Sequence, residues 1–106
     1  MDIAKKVELI ALYEVYGKSL TSNQQQIIDM CVLQDLSLGE VSDLLNISRQ
    51  AVKYTLDNAF QSMVKLEERL NVLNKLHNFK KKLTILLERT EDVTLRQQIN
   101  DILEDL

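Results

Sequence analysis

The stretch Leu36-Ser-Leu-Gly-Glu-Val-Ser-Asp-Leu-Leu-Asn-Ile-Ser-Arg-Gln-Ala-Val-Lys-Tyr-Thr-Leu-Asp-Asn-Ala-Phe60 contains two helix starts and one helix stop. Ser37 followed three residues later by Glu40 is a capping box, in which hydroxyl and carboxylate each accept from an amide left free at the helix start. Leu36 before the cap and Val41 inside the helix form a hydrophobic staple. The spacing predicts a short helix with Val41, Leu44 and Leu45 turned inward. Asn46 tolerates the left-handed conformation that ends a helix, and Ile47 plugs the turn. Ser48 then caps a second helix whose Val52, Leu56 and Phe60 face the core. Small Ser42 lets the two helices cross closely. Two helices joined this tightly make a helix-turn-helix over residues 36–60.

On the N-terminal side, Ile3, Val7, Ile10, Ala11, Tyr13 and Val15 recur at helical spacing after a capping Asp2, and the helix stops at Gly17. Thr21 and Gln24 are another capping box, opening a helix to about Leu33 with Ile27, Ile28, Cys31 and Met30 as its buried face. On the C-terminal side, Met63, Leu66, Leu70, Leu73, Leu76 and Phe79 carry the three-or-four spacing toward Leu83, Leu86 and Leu87. Breaks are expected near His77 and Asn78, and again between Thr90 and Thr94, before a last helix of Leu95, Ile99, Ile102 and Leu103. The expected fold is all-α: a helix-turn-helix followed by long C-terminal helices. We read residues 1–106 as a single domain, with 1–60 the helix-turn-helix unit and 61–106 a helical extension.

Composition agrees. Apolar residues make 45% of the chain and aromatics 5%, with no Pro and two Gly, which suits helices and not the many tight turns of a β fold. One Cys and one His leave no thiolate and imidazole set for a metal, no disulfide, and a reducing cytoplasm as the expected location. Met1 leads into an amphipathic stretch without an apolar leader, and there is no run of about 18 apolar residues, so membrane insertion is not expected. No Gly-rich phosphate loop or nucleophile with a base is present, so neither an enzyme nor a cofactor is expected.

The net charge of −3 hides an asymmetry. Residues 48–82 hold eight Lys or Arg against three Asp or Glu, while residues 1–47 and 83–106 are each net −4. Inside the basic middle lies the candidate site. In DNA-reading helix-turn-helix units the N-terminal end of the second helix enters the major groove. There Arg49 offers a guanidinium fork suited to guanine, Gln50 an amide suited to adenine, and Ser48 and Lys53 groups suited to phosphate. The competing reading makes Ser48 a cap and the rest solvated surface. Lys80, Lys81 and Lys82 read either as a phosphate contact on DNA or RNA or as a solvated helix face, and the second is the commoner case. Cys31 reads as core and His77 receives no role.

Leu20-Thr21 with Gln24 or Gln25, Asp35-Leu-Ser-Leu-Gly-Glu-Val41 and Ile47-Ser-Arg-Gln-Ala-Val52 together resemble the YlxM family of small bacterial helix-turn-helix proteins, over nearly the whole chain. More distantly the stretch is similar to the promoter-reading C-terminal domain of bacterial sigma factors. The resemblance implies a DNA-binding, transcription-regulating protein linked to the signal recognition particle pathway. Duplex DNA, or the particle's GTPase or RNA, are the partners it implies. Beyond the resemblance, the apolar stripe from Leu66 to Leu87 exceeds what the N-terminal unit can cover, so a homodimer through these helices is expected, the alternative being a tail that folds back near His77 and satisfies itself within one chain.

Overall fold

The computed structural model describes residues 2–106, which contain six α-helices and no strand. They are α1 (Ile3–Tyr16), α2 (Ser22–Ile28), α3 (Leu38–Leu45), α4 (Arg49–Leu70), α5 (Val72–Arg89) and α6 (Val93–Asp105). A 3-10 turn, Gly17–Ser19, follows α1, and a π-helical turn, Asp29–Leu33, prolongs α2. The chain divides into two compact units, residues 2–70 and residues 71–106.

In the first unit α4 is the post against which α1, α2 and α3 all pack. Its Val52, Leu56, Ala59 and Met63 are buried together with Leu9, Leu12 and Tyr16 of α1, Leu20, Ile27, Ile28 and Val32 around α2, and Val41 of α3. The starts form as the capping patterns require. Asp2 accepts from the Lys5 amide at 2.7 Å. The Thr21/Gln24 and Ser37/Glu40 boxes are both closed from each side, at 3.0–3.1 Å. Tyr16 donates to Glu67 at 2.5 Å, tying the end of α1 to the far half of α4.

Several expectations are corrected. Helix α1 is apolar on two sides, and the side that packs inward is Leu9, Leu12 and Tyr16, whereas Ile3 and Val7 are exposed. Spacing alone cannot choose between two apolar stripes; the partner helix does. Leu44 is exposed, because α3 turns Val41 and Leu45 toward α4 and a residue turn of roughly 100° leaves Leu44 beside that face. Phe60 is half-buried at the core's edge, with the Lys5 ammonium 5.3 Å from its ring centre. The break expected near His77 and Asn78 falls instead at Asn71, which takes φ 53°, while α5 runs unbroken through both. Gly17 stops α1 without a left-handed turn: its φ is −55°, and a side chain there would meet the Tyr13 ring at 2.8 Å.

The second unit is a helical hairpin. Residues 90–92 join α5 to α6, and the two helices pack together with Leu83 and Ile99 buried. Asp92 caps α6 by accepting from Leu95, and the Arg96 guanidinium donates to the Leu87 and Thr90 carbonyls, satisfying acceptors that the end of α5 leaves open.

Tyr13 donates to Asp29 at 3.0 Å, joining α1 to the π-helical turn. Burial first, and then this carboxylate, raise its phenol above the ordinary 10.0, so the fold favours the neutral, donating form. That contribution is whole below pH 10.0 and is lost as pH climbs through the raised value. Urea unfolding at about pH 9 and about pH 11 is expected to show a smaller alkaline loss in Tyr13→Phe than in wild type. Equal losses would mean that the bond adds no stability.

Candidate nucleic-acid interface

The turn between α3 and α4 is held from both ends. Asn46 takes φ 55° and ψ 46°, the left-handed cap, and its amide donates to the Ser42 carbonyl. The Ile47 amide also donates to that carbonyl, at 3.1 Å, and the Ser42 hydroxyl returns a bond to the Ile47 carbonyl at 2.5 Å. Ser42 is therefore small enough for the crossing and is also the clasp of the turn. Ile47 plugs it only in part, being 37% exposed.

Past the clasp, Ser48 caps α4. Its Oγ accepts from the Ala51 amide at 3.0 Å, which leaves the hydroxyl proton able to donate outward. Ser48, Arg49, Gln50 and Lys53 are all exposed on or beside the first turns of α4. Gln50, Lys53, Tyr54 and Asp57 share one helix side by their spacing. Tyr54 is a residue that reading the sequence for charge and amides passed over. At 70% exposed, it sets an aromatic ring and a hydroxyl next to Gln50 and Lys53. Its signal was available: an aromatic residue two positions past Val52 falls outside the 52, 56, 59, 63 core spacing.

Two features set the surroundings of the charged groups on this surface. The guanidinium of Arg49 folds back across Gly39, in the first turn of α3. Lys53 lines a cavity of about 610 Å³ in which Lys5 and Lys6 face Asp2, Asp35, Glu40 and Asp57, so its local field is close to balanced. Within that group Lys6 bonds Asp35 at 2.7 Å and holds the carboxyl below the usual aspartate range. Cys31 also lines this cavity, and burial pushes its thiol up, away from the reactive thiolate.

Lys80, Lys81 and Lys82 are exposed on α5 in the second unit, as is His77. Among the described residues no group of three or more His, Cys, Asp and Glu is placed to hold a metal ion, and no helix is long and apolar enough to cross a membrane.

Two helices, a clasped left-handed turn and a polar second-helix start define the helix-turn-helix class. The family model that matches residues 3–105 is described as "Putative helix-turn-helix protein, YlxM / p13 like", and the chain belongs to this family, UPF0122. An UPF0122 protein of Thermoanaerobacter sp. (strain X514) is 40% identical over 102 residues, covering 90% of this chain and 87% of its own. One from Clostridium novyi is 31% identical over 104 residues, 95% and 90% of the two chains, and one from Listeria monocytogenes is 33% identical over 96 residues, 90% and 87%.

Because the Ser48 hydroxyl satisfies a helix-start amide, Ser48→Ala is expected to lower stability by about 1 kcal/mol. Chemical denaturation measures this, and an unchanged midpoint would show that the cap carries no weight.

Proposed function

We propose that the protein is a regulatory, non-catalytic DNA-binding protein of the cytoplasm that reads duplex DNA with the start of α4. The observation that carries this reading is the joint exposure of Ser48, Arg49, Gln50, Lys53 and Tyr54 on a helix end held by the Ser42 clasp. Arg49 and Gln50 supply donor patterns for base edges, while Ser48 and Lys53 supply phosphate contacts that set register. A net charge of −3 makes the phosphate term modest, so specific contacts carry a larger share of affinity than in a basic repressor.

The reading includes a homodimer through the second unit. Val72, Phe79, Ile85, Leu86, Val93, Leu95 and Ile102 are all exposed on α5 and α6, whose own buried apolar residues are Leu83 and Ile99. A helical pair this poor in core gains by covering that surface with a second copy, and two-fold symmetry suits a pair of recognition helices.

One observation favours a second reading. The densest basic run, Lys80–Lys82, stands on α5 and not on α4, which suits an accessory that binds the RNA or the GTPase of the signal recognition particle. Under that reading, alanine at all three lysines abolishes RNA binding while Arg49→Ala leaves it unchanged.

Fluorescence anisotropy with a duplex drawn from the protein's own operon tests the first reading. Binding is expected to weaken between about 50 and 200 mM salt, and Arg49→Ala to cost about tenfold at a selected site. Binding indifferent to Arg49 would contradict it. Light scattering is expected to give twice 12.3 kDa for wild type and 12.3 kDa for Leu86→Asp, a change at a residue the fold leaves exposed. A wild-type mass of 12.3 kDa would remove the dimer.

A further inference from the structure

We infer that Gly39 is a positioning residue for Arg49: by lacking a side chain it seats the guanidinium fork on α3 and so sets the direction from which α4 reads a base. The inference rests on the DNA-binding reading and deepens it.

Gly39 lies within α3 and has no positive φ, so its backbone conformation is open to any residue. Glycine inside a helix is unfavourable relative to alanine, and α3 has only eight residues in which to offset that. What the position requires is space. A Cβ at Gly39 would stand 3.0 Å from Arg49 Nη2, 3.1 Å from Cζ and 3.2 Å from Nε. Those three atoms belong to the fork itself, so the guanidinium occupies the space that a side chain at position 39 would take. A local rule broken at a place where a candidate base-reading group rests marks that place as functional.

The seat has a chemical consequence. An arginine side chain loses much rotamer freedom when it binds, and a fork held beforehand loses less. A fixed fork also discriminates among base edges, because two parallel bonds form only from one direction. A methyl group at position 39 makes the fork give by a few tenths of an ångström, enough to tilt it, but leaves its charge. Attraction to phosphate then survives while selectivity falls.

The experiment uses the full chain and randomised duplexes. Sites selected by the wild type are compared with scrambled duplexes by anisotropy for wild type, Gly39→Ala, Arg49→Ala and the double variant. Gly39→Ala is expected to lose about tenfold on the selected site, to bind scrambled duplex as before and to melt no lower than wild type. In the Arg49→Ala background the same change is expected to have no further effect. If Gly39→Ala equals wild type on the selected site while Arg49→Ala is weakened, the seat is refuted and the DNA reading stands. If wild type prefers no sequence, or Arg49→Ala changes nothing, the DNA reading falls and the inference with it. A measurement free of DNA and of variants guards against misfolding: the Nε–H of Arg49 is expected to be more ordered by nitrogen relaxation than that of exposed Arg69 or Arg89. Equal disorder at all three overturns the seat.

Discussion

The hydroxyl of Ser42 holds the carbonyl of Ile47, and the Ile47 amide holds the carbonyl of Ser42. This reciprocal pair closes the turn between α3 and α4 around the left-handed Asn46, and the rest of the first unit is arranged about it. With the turn closed, Val41 and Val52 are brought into the same buried core and Ser48 arrives where it can cap α4. Helix α4 then runs on for 22 residues, long enough to give α1 and α2 a common surface on which to bury Leu9, Leu12, Ile27 and Ile28. A loosened turn would change the angle at which the polar end of α4 projects from α3, even with the core intact.

The chain uses its turn residues in an unexpected division of labour. The left-handed positions are taken by Asp35, Asn46 and Asn71, residues whose short polar side chains tolerate that conformation. Both glycines lack positive φ, and each lies under a side chain: Tyr13 across Gly17 and Arg49 across Gly39. Glycine here provides room, and the Asx residues provide the reversals. The first arrangement packs an aromatic ring against the end of α1; the second places a charged group of the α4 start beside α3.

Much of this was legible in the order of residues. Capping boxes are short-range and chemically specific, so Ser37/Glu40, Thr21/Gln24 and Ser48 marked their helices correctly. The left-handed Asn46 was legible because an Asn followed by Ile-Ser ends one helix and starts another. Asn71 was not, since nothing around it interrupts the apolar spacing, and His77-Asn78 offered a more polar place to break. The buried side of α1 was hidden for a different reason, since both of its stripes are apolar and its tertiary partners, α4 and the Tyr16–Glu67 bond among them, select one. In the candidate site, residue types could be listed from the sequence, but the seat of Arg49 joins positions ten apart across a turn and needs coordinates to be seen.

Under the proposed function, the start of α4 is the surface that meets nucleic acid. Amide spectra of the full chain, followed while an operon-derived duplex is added, locate that surface without any variant. Shifts are expected to concentrate at Gly39 and at Ser48–Tyr54. Shifts confined to α5 around Lys80–Lys82, with the start of α4 unmoved, would contradict it.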